Sequence, residues 1–421
     1  MKNKFKIGVI GLGYVGLPLS IAFSKKYEVT GYDINFDRVN ELKNLEDITN
    51  EVPIKTLDKC LKNNLNLTND ISEISDYNIY IITVPTPVDE NKVPDLSYLE
   101  KASLEISKIL KNGDIVIYES TVYPGCTEEV CVPILEKGSN LVYNEEFYCG
   151  YSPERINPGD KINTIDKIVK VTSGSNSKCA DIVDQLYSSV ISAGTYKTSS
   201  IKIAEASKVI ENAQRDINIS LMNELSLIFD RMNLDTNDVI NAAKTKWNFL
   251  DFRPGLVGGH CIGVDPYYLV YKSETLGYSP KVISSGRQVN DSMGEFVAKK
   301  SIRLLNNNNY IIKESKVIIM GATYKENSPD TRNTKIPDIY NYLIKNGINT
   351  SVYDPVADKE SFEKKYGIEL ITEIDKYDLI ILAVPHSLFK EIDLNTLKKN
   401  DSSILFDLKG FYPKNLSNAR L

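Results

Sequence analysis

Five short stretches near the start of the chain restrict it to very few folds. Lys6-Ile7-Gly8-Val9-Ile10 is an apolar strand, and Gly11-Leu12-Gly13-Tyr14-Val15-Gly16 follows at once. Leu17 to Phe23 continues with helical apolar spacing, Tyr27 to Tyr32 reads as a second strand, and Asp33 closes the run. Strand, glycine-rich turn, helix, strand and acid in that order build a parallel βαβ unit. Gly11 permits the tight turn, Gly13 lets backbone approach a pyrophosphate, and Gly16 lets helix and sheet pack closely. The free N–H groups at the helix start favour an anion. Asp33 can accept from ribose hydroxyls and would repel a 2′-phosphate, so the unit predicts NAD rather than NADP. The bland alternative is a tight βα turn that holds nothing.

More strands follow at βαβ spacing. Asn78 to Val84 runs into Pro85-Thr86-Pro87, and Asp114 to Tyr118 runs into Glu119-Ser120-Thr121. Near-continuous apolar runs of this kind belong to a parallel sheet covered on both faces. Ligands sit beyond the carboxyl ends of such strands. Thr86 and Thr121 are therefore candidate contacts, with helix capping an equal alternative for each hydroxyl.

The last third repeats the plan. Lys316 to Gly321 parallels Lys6 to Gly11, and Ser351 to Asp354 parallels the strand ending at Asp33. Leu379 to Pro385 and Ser403 to Asp407 parallel the next two strands. Between the copies, Ile201 to about Met232 has the period of one long helix, and a second helical stretch runs from Thr236 to Ala243. The expectation is an α/β protein of two Rossmann-like doubly wound domains joined by a long central helix. Its boundaries are 1–200 (NAD-binding domain), 201–305 (helical dimerisation and catalytic-loop region) and 306–421 (Rossmann-like UDP-binding domain). The second copy opens on Gly321-Ala322-Thr323-Tyr324-Lys325 without GxGxxG, which argues against a second dinucleotide site. Lys325 and Arg332 there suit a phosphate, with plain surface charge as the alternative.

Composition excludes several classes. No run approaches 18 apolar residues, so no membrane span is expected. The basic start followed by a glycine-broken apolar run does not read as a signal peptide, and a cytoplasmic location is expected. A net charge of −6 argues against non-specific nucleic-acid binding. Six cysteines without a CxxC pair read as reduced thiols, two histidines argue against a His-based metal site, no EF-hand or zinc spacing occurs, and no metal is expected.

The chemistry concentrates in Gly258-Gly259-His260-Cys261-Ile262-Gly263-Val264-Asp265. A thiol in permissive backbone, with a carboxylate one turn on, can be approached closely by a substrate. Cys60, Cys126, Cys131, Cys149 and Cys179 read as buried or incidental, and His386 as structural. Lys208, Asn212, Arg215 and Asp216 share one sector of the long helix, as either a solvated face or a working one. The segment 246–255 has weak helix and strand signals and reads as a substrate loop. Ser152-Pro153-Glu154-Arg155 is a turn with an acid beside a base.

These motifs resemble the UDP-glucose/GDP-mannose dehydrogenase family along essentially the whole chain. The markers are the glycine-rich turn, Ser152 to Arg155, Lys208 with Asn212, Gly258 to Cys261, and Thr323 to Asn327 with Asp330-Thr331-Arg332. Thr245 to Phe249 and Gly263 to Tyr268 resemble the branch that acts on UDP-N-acetylglucosamine or UDP-N-acetylgalactosamine for Vi-type capsule and O-antigen. The UDP-glucose branch usually has Lys where Val264 stands, and UDP-N-acetylmannosamine enzymes usually have His and Arg at Thr245 and Trp247.

The resemblance implies two successive NAD-dependent oxidations at C6 of the sugar. It implies Cys261 as the nucleophile, Lys208 and Asn212 as proton acceptor and oxyanion donors, and Asp265 as their organiser. Glu154, or a water held by Thr121, is the implied hydrolytic base. The cofactor contacts it implies are Gly11, Gly13, Tyr14, Val15, Gly16, Asp33, Arg38, Thr86 and Thr121. Substrate contacts are expected at Arg155, Ile156, Lys208, Asn212, Arg215, Arg253, Gly258, Arg287, Lys325 and Arg332. A homodimer is implied as well. Three other readings remain: a 6-dehydrogenase of UDP-glucose or UDP-N-acetylmannosamine, a two-electron dehydrogenase in which Cys261 only packs, and a non-catalytic NAD-binding regulator.

Overall fold

The computed structural model describes residues 5–49, 51–156 and 164–421. It divides into two compact units. The first comprises the chain up to Glu211 with Tyr267–Gly277; the second comprises Asn212–Pro266 and Tyr278–Leu421.

The first unit is built on eight strands: β1 (Lys6–Ile10), β2 (Glu28–Tyr32), β3 (Leu65–Thr68), β4 (Ile79–Ile82), β5 (Ile115–Tyr118), β6 (Tyr148–Tyr151), β7 (Lys170–Gly174) and β8 (Thr195–Lys197). They lie in the order β3-β2-β1-β4-β5-β6-β7-β8. β7 runs antiparallel to β6, and the other neighbouring pairs are parallel. Strands β4 and β5 are buried along their whole length, which is why their sequences do not alternate. Ile7, Val9, Leu17, Phe23, Val29 and Ile81 belong to one apolar core. The crevice opens where the strand order reverses, at the carboxyl ends of β1 and β4.

The second unit carries β9 (Lys316–Met320), β10 (Asn349–Tyr353), β11 (Leu379–Leu382), β12 (Ile404–Asp407) and β13 (Ala419–Arg420), all parallel, in the order β10-β9-β11-β12-β13. The likeness of the two halves reaches individual hydrogen bonds. Lys6 N–H donates to Asn78 Oδ1 at 3.0 Å, and Lys316 N–H donates to Asp378 Oδ2 at 2.9 Å. Gly11 N–H reaches Tyr32 O at 2.8 Å, and Gly321 N–H reaches Tyr353 O at 2.9 Å. Both glycines are left-handed, at φ +96° and +95°. The α/β architecture with a long connecting helix is therefore as expected.

That helix, the spine helix, spans Ile201–Arg231. A second long helix, Lys281–Asn307, has no counterpart in the sequence reading. Its interior Gly286 serves close packing. A Cβ there would lie 2.9 Å from Ser220 Oγ on the spine helix. No helix among the described residues is long and apolar enough to cross a membrane.

Glu205, fully buried in the first turns of the spine helix, accepts the N–H groups of Gly125 at 2.5 Å and Thr127 at 2.9 Å. Burial pushes its carboxyl from 4.5 up to about 7, against those two hydrogen bonds. The folded state thus favours the protonated form. The associated stability is present below the unfolded value and lost as pH rises through about 7. Glu205→Gln removes this slope. Between pH 5 and 8 its stability relative to the parent protein is expected to improve by roughly 1–3 kcal/mol, read by urea unfolding at both pH values.

Candidate active site

At the nucleotide edge of the first unit, Leu12 N–H donates to Asp33 Oδ2 at 2.7 Å, and Asn35 N–H donates to Asp33 Oδ1 at 2.9 Å. The carboxylate is thereby aimed, and each oxygen keeps a second lone pair. A Cβ on Gly16 would fall 1.8 Å from the Gly11 carbonyl, whereas one on Gly13 would meet nothing within 4 Å. The turn is closed on its protein side and open on its outer side, a shape that fits the pyrophosphate and ribose of NAD. Tyr14 stands at its rim, 36% exposed, beside the half-buried Val15. Arg38 is buried behind the turn, where Nε donates to Leu12 O at 2.9 Å and Nη2 pairs with Asp47 at 2.8 Å. It braces the loop from inside.

The loops after β4 and β5 are stitched together. Thr86 Oγ1 donates to Thr121 O at 2.7 Å, Ser120 Oγ donates to Val84 O at 2.6 Å, and Tyr268 Oη donates to Thr86 O at 2.6 Å. Beyond β6, Glu154 Oε1 accepts the N–H groups of Arg155 at 2.5 Å and Ile156 at 2.6 Å. Its other oxygen lies 3.4 Å from the Lys170 ammonium, which also pairs with Glu119 at 2.6 Å. Lys170 went unmarked in the sequence because nothing there announces an antiparallel strand that starts at the ligand edge. Arg155 pairs with Glu211 at 3.3 Å.

On the spine helix, Lys208, Asn212 and Asp216 are all buried, and Arg215 is half-buried. The sector is not a solvated face. Asn212 Nδ2 donates to Asp265 Oδ2 at 2.5 Å, and Arg215 donates to Asn212 Oδ1 at 2.9 Å. Asp265 is buried and opens the helix Asp265–Thr275. The Cys261 carbonyl accepts the N–H groups of Val264 at 3.1 Å and Asp265 at 2.8 Å, so thiol residue and carboxylate share one turn. Arg287, expected among the substrate contacts, is buried in the packing of helix Lys281–Asn307. It pairs there with Asp216 and Asp291, each at 2.6 Å.

The glycines before Cys261 have a packing role. A Cβ on Gly258 would meet Asn333 O at 2.7 Å, and one on Gly259 would meet the Tyr324 ring at 2.8 Å. His260 Nδ1 is buried with no hydrogen-bond partner among the described residues, and Nε2 lies 3.8 Å from Asp330. Burial and the nearby Arg332 lower His260 to about 4, so its ring is neutral at pH 7. Of the other cysteines, four are buried and Cys60 is half-buried. In the preceding segment Arg253 bonds Asp251, Asn237 and Asn241, while Trp247 is exposed.

A small cleft of about 50 Å³ lies at the carboxyl ends of β9, β11 and β12, lined among others by Gly258, Thr323, Tyr324, Val384 and Lys409. Sequence reasoning missed Lys409, since one lysine after a strand has no distinguishing pattern. Burial of its ammonium lowers its pKa, and Nζ reaches Pro254 O at 3.3 Å. Lys325 is half-buried on the 323–333 loop, and Arg332 forks Asp330 through Nε and Nη2 at 2.9 and 2.7 Å. His386 is buried. Its Nδ1 accepts Asn327 N–H at 2.9 Å, leaving Nε2 to meet Asp354 at 2.9 Å. Asp354 also accepts four backbone N–H groups, from Ala322, Thr323, Val356 and Ala357. Burial alone would raise this carboxyl; the His386 bond and the N–H donors hold it below its ordinary value.

A dinucleotide cradle on one sheet and a different polar cleft on the other define an NAD-dependent oxidoreductase with a separate domain for its substrate. Three domain profiles of the UDP-glucose/GDP-mannose dehydrogenase family match: the NAD binding domain over residues 5–191, the central domain over 202–292 and the UDP binding domain over 318–414. The UDP-N-acetyl-D-glucosamine 6-dehydrogenase of Salmonella typhi is 50% identical over 423 residues, covering 100% of this chain and 99% of its own. The enzyme of the same name from Pseudomonas aeruginosa is 51% identical over 420 residues, covering 99% of each. A UDP-glucose dehydrogenase structure from Pyrobaculum islandicum shares the fold, with a TM-score of 0.87 at 21% identity over 100% of this chain and 97% of its own. The chain belongs to the UDP-glucose/GDP-mannose dehydrogenase family, and with it to the NAD-dependent UDP-sugar dehydrogenases.

Two glycine variants separate packing from binding in the cradle. Gly16→Ala is expected to cost roughly 1–3 kcal/mol in stability and to abolish NAD binding. Gly13→Ala should keep the parental Tm while weakening NAD binding about tenfold or more, because the new methyl group occupies ligand space. Thermal unfolding and calorimetric titration with NAD⁺ read the two effects.

Proposed function

We propose that this protein oxidises C6 of UDP-N-acetylglucosamine twice, from alcohol to carboxylate, to supply a UDP-uronic acid for a surface polysaccharide. The observation that carries the reading is the buried Asn212–Asp265 hydrogen bond, with Asp265 bound into the same turn as Cys261. A packing-only cysteine needs no such organised polar partner. Two relatives about 50% identical over nearly the whole chain carry that substrate in their names. Val264, Thr245 and Trp247 stand where other branches of the family usually differ.

Two molecules of NAD⁺, bound in turn, would each accept one hydride. In the first oxidation Lys208, or a water it positions, takes the C6 hydroxyl proton. Cys261 adds as thiolate to the aldehyde carbon, giving a thiohemiacetal that is oxidised to a thioester. Lys208 and Asn212, one helical turn apart, donate to the developing oxyanions. Asp265 fixes the amide orientation of Asn212. Water then cleaves the thioester with Glu154 as base, and Thr121 helps to hold that water. The covalent route divides a four-electron oxidation into easier steps.

The cleft of the second unit takes the UDP, with Lys325, Arg332 and Lys409 as cationic contacts. Arg155, Ile156, Arg215, Arg253 and Gly258 contribute to sugar and nucleotide recognition. Arg287 acts indirectly, by holding Asp216 and thereby the spine-helix sector.

Two copies of the chain pair along the spine helix. Ile203, Ile210, Leu221 and Ile228 are 45–54% exposed. At 100° per residue these positions fall on one stripe, which a second copy would cover.

NADH release is expected at about two per sugar with UDP-N-acetylglucosamine. The rate should exceed those with UDP-N-acetylgalactosamine, UDP-N-acetylmannosamine and UDP-glucose under matched conditions. Cys261→Ser should lose carboxylate formation by roughly 10³-fold. One NADH per sugar with an unimpaired Cys261→Ser variant would refute the covalent route. Light scattering should give twice the chain mass, and Leu221→Glu should shift the protein towards the monomer.

A further inference from the structure

Lys170 is 2% exposed, and a buried ammonium is costly unless charge and hydrogen bonds compensate it. Its compensation is shared between two carboxylates, Glu119 at 2.6 Å and Glu154 at 3.4 Å. The Tyr187 ring centroid lies 5.5 Å from the ammonium, and the Tyr187 hydroxyl donates to Glu119 Oε1. Tyr187, Glu119, Lys170 and Glu154 thus form one string. At its inner end the Glu119 side chain is 0% exposed, and at its outer end the Glu154 side chain is 12% exposed.

Topology brings these groups together at the ligand edge of the sheet. Glu119 follows β5 directly, and Glu154 lies just beyond β6. β7 runs the opposite way, so its first residue, Lys170, comes to that same edge. Gly150 pairs with Gly174 and Tyr151 with Ser173; extending that register sets Glu154 opposite Lys170.

The two oxygens of Glu154 are unequal. Oε1 is saturated by two backbone N–H groups, from Arg155 and Ile156. Among the described residues Oε2 meets the Lys170 ammonium at 3.4 Å. Burial pulls the Lys170 pKa down, but Glu119 and Glu154 more than reverse this, so the ammonium stays charged. Burial pushes Glu119 up to about 7, with Lys170 opposing and Glu154 adding repulsion.

We propose that Lys170, anchored by Glu119 and Tyr187, is the positioning residue that presents Glu154 Oε2 as the base for cleavage of the covalent intermediate. This rests on the covalent reading above. In that step a water oxygen bonds to the thioester carbon and its proton passes to Glu154 Oε2. The C–S bond breaks, the sulfur leaves as the Cys261 thiolate, and the sugar leaves as the carboxylic acid, which then ionises. No further oxidant is required.

Four variants are compared with the parent protein in stopped-flow NADH traces and intact-protein mass spectra, using NAD⁺ and UDP-N-acetylglucosamine. Lys170→Met is expected to show a rapid NADH burst, a 10- to 100-fold lower steady rate of roughly the size lost with a general base, and an accumulated sugar adduct on the protein. KM should move by less than about threefold, since substrate binding is untouched. Lys170→Arg should recover part of the steady rate. The double variant Glu119→Gln/Lys170→Met removes the buried charges as a pair and should restore the parental Tm without restoring the steady rate. If the double variant regains the parental rate, or if rate and Tm fall in parallel in every variant, Lys170 is only a buried structural pair and the proposal is overturned. Glu154→Gln separates the two layers. If it slows adduct release and Lys170→Met does not, the role of Lys170 alone fails; if it leaves release unchanged, the assignment of the base fails and the role of Lys170 with it.

Discussion

A backbone N–H donated to an aspartate across the top of a parallel sheet sets the geometry on which both units depend. Leu12 N–H binds Asp33 and Ala322 N–H binds Asp354, each one residue after a left-handed glycine that ends the first strand. The bond holds the turn in the one conformation that delivers the chain back over the sheet. It also fixes a carboxylate at the crevice where strand order reverses, the place where an open α/β sheet binds ligands.

From that common start the two sheets diverge by what is left unsatisfied. Asp33 keeps acceptor capacity and some exposure. Asp354 is saturated by four N–H groups and His386, so the second crevice recognises something other than a ribose hydroxyl. Its cationic residues suit a diphosphate, in keeping with the UDP binding domain matched there. One scaffold thus gives two specificities through the valence of a single carboxylate.

Much of the candidate site was legible because its residues lie in short local patterns. Gly11 to Gly16, Lys208 with Asn212, and Gly258 to Asp265 each declare themselves by spacing. Lys170, Glu119 and Tyr187 do not. They come from three distant elements and meet only because β7 reverses direction. Arg38 and Arg287 illustrate the opposite difficulty. A sequence shows a cation but not which side of a loop it occupies, and both are buried in ion pairs that brace other elements. The helix Lys281–Asn307 escaped because interior glycines look alike whether they break a helix or let two helices approach.

By itself the sequence determined the α/β class, the duplication of the sheet plan and the cofactor cradle. All of these follow from backbone conformation and hydrophobic period, which act over a few residues. Tertiary structure alone decided which charged groups are buried and paired, which oxygen of Glu154 accepts the Arg155 and Ile156 N–H groups, and that the glycines beside Cys261 pack on Tyr324 and Asn333. Burial and hydrogen-bond valence depend on what arrives from elsewhere in the chain, and no local pattern encodes that arrival.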